Sequence, residues 1–530
     1  MPKLFMALVA SLAAMSIQGA SPEQARLLVT IVVDGLDADY VDLLREQFGQ
    51  NGFRMLENRG VQLNVDYGTS LDATAATAMI VSGAAPSATG IASGSRFDRI
   101  TLRPAETYTD TEVLGNFTST GFSPASLRVS TLSDEIRVAS GGTNAEYAVA
   151  PNPGMAIGLA GHAANCAIWL DGKTGNWASS TFYQEMPVGI AARNRSLPLT
   201  VRLDTMSWKP TLEPSLYPSL PDHLKHYPFR YVFPRGNNER IDMYAASPLL
   251  NSEITGIASD LLRTYKLGSR DGVTDVLNIG YALRPYPYGK NDDARVELMD
   301  AYVKLDRDLG KLFTDISKGA GLENPVVVLA ATPPRPQRRR DDDKWNIPHG
   351  EFSTRRAISL LNVYLMALYG NGDYVSAYHN GHIYLNQNLL KEMKLDVAAV
   401  RSAAAAFMAR MTGVDRAFTI DEIIAGTAGQ NAEAIRRNTV AATAGDILIQ
   451  PAPGFEVVDD YNIISPEAAH SGMVHIGATT TAPVYIFGSA IVPKTLEGIV
   501  DARVIAPTVA RILRIRSPNG AAMAPLKLKL

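Results

Sequence analysis

Cysteine is nearly absent. Cys166 is the only one in 530 residues, so no intramolecular disulfide can form. A chain of this length buries enough core to do without one. Cys166 lies among small and apolar residues and reads as a core side chain rather than a nucleophile. Histidine is also scarce: there are eight, with none between His226 and His349. Chemistry that needs an imidazole from that span is excluded. Excess charge is small, and a net charge of -3 gives no reason to expect nucleic-acid or anionic-membrane binding. Past the N-terminus no apolar run approaches the length of a membrane span, so no transmembrane helix is expected in the mature chain. There is no internal repeat and no long low-complexity tract.

The first twenty residues read as a signal peptide. Lys3 gives a positive start, Leu4 to Ile17 form a short apolar stretch, and Gly19 and Ala20 offer small residues for cleavage. Gln18 is an imperfect residue for that site. A leader without disulfides fits a secreted protein of a bacterial periplasm or cell envelope.

Apolar residues make up 46% and charged residues 19%, an ordinary globular composition. Leu27 to Val33 is a continuous, β-branched apolar run ending at Asp34-Gly35. It is apolar on both faces, which predicts a buried parallel strand with a carboxylate just past its C-terminal end. Further buried strands are expected at Ala164 to Leu170, Val276 to Tyr281, Val326 to Ala330 and Val484 to Phe487. Helices are expected at Asp39 to Asn58, Ala73 to Ser82, Asn251 to Tyr265 with Asn251 as N-cap, Asp292 to Ile316, Val397 to Met411 and Val504 to Leu513. Tyr374 to Leu385 reads as a hairpin turning at Asn380-Gly381. Strands alternating with helices imply an α/β fold with a mostly parallel central sheet and helices on both faces. Residues 21-530 read as one core domain. A Pro- and Tyr-rich stretch, about 95-245, forms cap-like excursions, and about 335-440 forms a small α+β insertion. The charge run Arg338 to Lys344 reads as a solvated loop.

Several stretches carry a family resemblance. They are Val32-Val33-Asp34-Gly35, Ile80 to Pro86 followed by Gly90-Ile91, Leu159-Ala160-Gly161-His162, and Ala246-Ser247-Pro248 with Asn251. Leu305 to Leu309, Ile347-Pro348 and Ile383-Tyr384-Leu385-Asn386 complete the set. Together they resemble the alkaline phosphatase superfamily, in the branch joining phosphate-irrepressible alkaline phosphatases with nucleotide pyrophosphatase/phosphodiesterases. The resemblance implies an alkaline phosphatase-like fold and a two-zinc centre held by six protein ligands. It also implies a Thr or Ser nucleophile that forms a phospho-enzyme, with Asn, Lys or Arg side chains on the phosphoryl oxygens.

Set against that pattern, much of the machinery is replaced. Asp34 stands at the first metal position. Counted back from Ser82-Gly83, the nucleophile position is Ala73, whose methyl group cannot attack phosphorus. Thr74 is adjacent, but helix neighbours point about 100° apart. Thr69, Ser70 and Thr77 are nearby. The ligand pair expected after the central strand meets Leu283 to Gly289 and finds no histidine. The adjacent Asp-His pair expected after a later strand becomes Thr332-Pro333, and proline offers no ligand atom. Asp222-His223, with His226, reads as surface chemistry. The phosphoryl-binding positions become Asn152, Gly154 and Gly94. His470 or His475 can fill the last ligand position. Asp34 with one of them, and with Asp72 as a possible addition, could hold a single divalent ion such as zinc. Alternatively, Asp34 and Asp72 cap turns and helix starts.

Three functions follow as expectations. The chain is a pseudoenzyme whose cleft binds a ligand or partner; or a hydrolase with a rearranged one-metal site using Asp34, His470 or His475 and Thr74; or a structural envelope component.

Overall fold

The computed structural model describes residues 24–183, 186–218, 228–289, 294–321, 324–334, 348–461, 480–488 and 491–528. The leader, the Arg338 to Lys344 run, Asp222, His223, His226, His470 and His475 lie outside these.

The apolar runs form a ten-stranded mixed sheet. Its strands, numbered in chain order, are β1 (Leu27–Asp34), β2 (Val61–Asp66), β3 (Gly115–Asn116), β4 (Glu146–Ala150), β5 (Cys166–Leu170), β6 (Trp177–Ser180), β7 (Asp275–Ala282), β8 (Pro325–Ala331), β9 (Thr481–Phe487) and β10 (Lys494–Asp501). Their order is β10-β2-β9-β8-β1-β7-β4-β5-β6-β3. The centre, β8-β1-β7-β4-β5, is parallel. Toward the edges β8-β9, β9-β2, β5-β6 and β6-β3 are antiparallel. β1 is buried at all eight positions, as a strand covered on both faces must be. The helices Ala73–Ser82, Pro153–Ala160, Leu249–Tyr265 and Arg295–Gly319 supply that cover. Among the described residues no helix is long and apolar enough to cross a membrane.

A second core sits in the region expected as an insertion and reaches past residue 440 to Val457. Val375–His379, His382–Leu385, Ile447–Pro451 and Val414–Thr419 form a four-stranded antiparallel sheet. Leu361, Leu365, Val400, Met408 and Ile447 pack beneath it. The hairpin turns at Asn380 (φ 48°) and Gly381 (φ 80°), as the Asn-Gly pair predicts.

Two expectations fail locally. The single helix expected over Asp39 to Asn58 is three short pieces: Ala38–Leu43, a 3-10 turn at Arg45–Gln47, and Phe53–Arg59. The break is tertiary. Asp306, on the long helix Arg295–Gly319, accepts hydrogen bonds from the backbone N–H of Gly49 (2.7 Å) and Phe53 (2.9 Å). A Cβ on Gly52 would lie 2.1 Å from its Oδ1. Asn251 is not an N-cap but sits inside the helix Leu249–Tyr265. Its carboxamide grips the end of β7 instead, donating to the Ala282 carbonyl (2.8 Å) and accepting from its N–H (3.1 Å).

Candidate functional site

Three adjacent parallel strands end at one edge, and each delivers a polar side chain. β1 ends at Asp34, which pairs in register with Ala282 of β7. Two residues beyond Ala282 comes Arg284. Val33 pairs with Ala331 of β8, and Thr332 follows at once. Asp34 is 3% exposed. A carboxylate so buried stays charged only with donors or cations around it. The Thr332 hydroxyl donates to its Oδ1 (2.8 Å), and Arg284 Nε donates to its Oδ2 (2.6 Å). Arg284 Nη2 also bonds Oδ2. Asp34 holds the guanidinium above its ordinary pKa, with burial opposing.

The turn around Asp34 is equally constrained. Thr332 Oγ1 accepts from the Gly35 N–H (3.1 Å). Gly35 has φ 80°, and a Cβ there would meet the Leu283 carbonyl oxygen at 2.4 Å. Only glycine lets the chain turn this close to the Leu283-Arg284 loop.

The neighbouring helix start carries the other candidates. Asp72 is the N-cap of Ala73–Ser82. Its Oδ1 accepts from the Ala75 N–H (2.9 Å) and its Oδ2 from the Gly94 N–H (2.6 Å). Ala73 is buried and presents no functional group. Thr74 is buried as well, and its hydroxyl packs against two glycines. A Cβ built on Gly154 would lie 2.3 Å from Thr74 Oγ1, and one on Gly94 would lie 3.0 Å from it. These glycines stand where the resemblance places phosphoryl-binding side chains, and Thr74 fills the space beside them. Asn152, at the third such position, caps the helix Pro153–Ala160 by accepting from the Met155 N–H (3.0 Å).

Of the sequence candidates, the structure gathers Asp34 and Thr332 at one strand edge and Asp72, Ala73 and Thr74 at the helix start beside it. The charge of Asp72 also acts on Arg284. His470 and His475 lie outside the described residues. Arg284 was passed over in the sequence because a lone arginine in a proline-rich loop carries no motif. The available signal was a cation replacing expected metal ligands opposite a retained Asp34. Cys166 is inert: burial pushes its thiol up to about 12.

No family model matches the chain. It is 26% identical to a calcium-transporting ATPase of Myroides odoratus, over 95% of this chain and 94% of that one. It is 25% identical to the alkaline phosphatase PhoV of Synechococcus elongatus, over 93% and 91% respectively. It superimposes on the crystal structure of the alkaline phosphatase PafA with a TM-score of 0.82 at 24% identity, covering 96% of this chain and 99% of that one. The chain shares the fold of this alkaline phosphatase and is similar to curated alkaline phosphatases over nearly its whole length.

Within this superfamily fold, the described residues do not fit the two-zinc centre that the resemblance implies. Asp34 already accepts from a cation and a hydroxyl, Thr332 offers a neutral oxygen, and Pro333 offers nothing. Among the described residues no cluster of three His, Cys, Asp or Glu has metal-binding geometry. His162, in a superfamily-like segment, is committed elsewhere. Its Nδ1 lies 3.0 Å from Asp134 Oδ2 and its Nε2 lies 3.0 Å from the Leu127 carbonyl.

Arg284→Ala removes the cation from the buried Asp34 carboxylate. It is expected to lower unfolding stability by about 2 kcal/mol, less than a fully buried pair because the arginine side chain is 45% exposed. Adding Asp34→Asn is expected to restore part of the loss, read by urea melts of the two single variants and the double variant.

The hydrogen bond to Asp134 raises the His162 pKa above its ordinary 6.5. Its stabilisation is therefore complete below pH 6.5 and fades as pH rises through the folded-state value. The stability gap between wild type and His162→Gln is expected to be larger at pH 6 than at pH 8, measured by the same melts.

Proposed function

We propose that this chain is a superfamily member that no longer hydrolyses phosphoesters and uses its cleft to bind a ligand or partner in a bacterial cell envelope. The observation that carries this reading is the Asp34–Arg284 pair, with Thr332 on the other carboxylate oxygen. The guanidinium supplies the positive charge that a buried carboxylate needs, at the position where a metal would otherwise supply it. A unit-charge pair about 4 Å apart is worth about 4 kcal/mol at an effective dielectric near 20, and a dication doubles it. A divalent ion on Asp34 would face that repulsion from Arg284.

The replaced groups support the same reading. Ala73 provides no nucleophile. Thr74 is wedged against Gly94 and Gly154, which carry no side chain to bind a phosphoryl oxygen. The leader-like residues 1-20 support export.

The test is metal content and turnover on the full chain. Elemental analysis is expected to find well under one zinc per chain. p-Nitrophenyl phosphate and bis-p-nitrophenyl phosphate are expected to stay intact with zinc, magnesium, manganese or calcium present, and EDTA is expected to leave the melting temperature unchanged. Two tightly held zinc ions with turnover would overturn the reading. Turnover with one ion, abolished by Asp34→Ala, would favour a rearranged hydrolase using Thr74 and His470 or His475.

A further inference from the structure

A cavity of about 1060 Å³ opens between the start of the helix Ala73–Ser82 and the four-stranded antiparallel sheet. Ser95, His379 and Asn380 line it together. Ser95 Oγ lies 3.0 Å from His379 Nε2, although the two residues are 284 positions apart in the chain. A hydroxyl within hydrogen-bond reach of an imidazole is the arrangement that activates a serine.

Both partners are held in place. The Gly94 N–H donates to Asp72 Oδ2 (2.6 Å), and the Gly94 carbonyl accepts from the Thr107 N–H (2.9 Å). Thr107 Oγ1 donates to the Ser93 carbonyl (2.6 Å). These bonds fix the backbone that leads into Ser95, which opens the strand Ser95–Asp98. His379 ends the strand Val375–His379, just before the Asn380-Gly381 turn, and is 9% exposed. Phe97 packs beside its ring, with centroids 6.5 Å apart.

The hydrogen bonds also fix where the protons are. Ser93 Oγ spends its one proton on the Ser95 carbonyl, so it accepts from Asn380 Nδ2 (2.9 Å). That same Nδ2, a donor only, lies 3.2 Å from His379 Nε2. Nε2 must therefore be the bare, accepting nitrogen, and Ser95 Oγ donates to it. Burial holds the imidazole below its ordinary pKa of 6.5, so it is neutral at pH 7 and free to take a proton. Once Nε2 is protonated it no longer accepts from Asn380. The amide proton released there lies beside Ser95 Oγ, 3.3 Å from Nδ2, where a new oxyanion would form.

We propose that Ser95 and His379 form a nucleophile–base pair that hydrolyses a carboxylic ester bound in this cavity. Ser95 Oγ bonds to the ester carbonyl carbon as its proton passes to His379 Nε2. The ester C–O bond breaks, and the leaving alcohol oxygen takes that proton. Water then attacks the acyl-Ser95 ester and gives a proton to Nε2. The carboxylic acid departs, and the proton returns to Ser95 Oγ. This activity goes beyond the reading of the chain as one that leaves phosphoesters intact, and it makes the bound ligand of that reading an acyl ester.

The test uses the full chain with a fluorophosphonate probe, followed by peptide mass spectrometry, and with p-nitrophenyl butyrate as substrate. The probe is expected to label Ser95 in the wild-type chain. Ser95→Ala and His379→Gln are each expected to lower kcat/KM on the butyrate about 100-fold or more, with unchanged melting temperature. Wild-type kcat/KM is expected to rise with a midpoint below pH 6.5 and to stay level up to pH 8, as a base of lowered pKa requires. No label on Ser95, a Ser95→Ala variant as active as wild type, or a rate still climbing between pH 7 and 8 would overturn the proposal. Turnover of p-nitrophenyl phosphate by the same preparation overturns the functional reading above, while absent butyrate turnover without it overturns only this inference.

Discussion

A buried carboxylate at the centre of the sheet must be neutralised, and the rest of the site follows from how that is done. Asp34 ends β1, flanked by β7 and β8, and is almost wholly removed from water. Bare burial would cost several kcal/mol or force protonation. The chain answers with a guanidinium from the loop after β7 and a hydroxyl from the residue after β8. Thr332 stands where the superfamily resemblance places a metal ligand, and Arg284 lies in the loop where it places another ligand pair. The carboxylate is held in an ion pair within one chain, and the surrounding turn is built to it through Gly35 and the Thr332 hydroxyl.

The neighbouring changes fit that substitution. Where the resemblance calls for a nucleophile and phosphoryl-binding side chains, the structure has a methyl group at Ala73, two glycines, and Thr74 packed against them. Asp72 and Asn152, polar residues at the same edge, cap helices. The polar cavity beside this edge is lined by side chains of both cores, so the two cores meet around it.

Five strands of the sheet were legible because buried strands are continuous apolar runs, whereas β4 (Glu146–Ala150), short and opened by a glutamate, and the edge strands were not. The Asn380-Gly381 turn was legible for an equally local reason. The helix over Asp39 to Asn58 was not, because the carboxylate that breaks it belongs to Asp306, far along the chain. Asn251 looked like a cap because its residue type suits one, but its partner is the end of β7. Within the site, Thr332-Pro333 and Ala73 were legible as replacements by position. Arg284 was not, since its meaning lies in a through-space contact with Asp34, 250 residues away.

The most direct measurement is anomalous diffraction at the zinc edge from crystals of the full chain grown with zinc. The account predicts an Arg284 guanidinium on Asp34 and no zinc peak within coordination distance of that carboxylate. A zinc peak bound by Asp34, with Arg284 turned away, would contradict it.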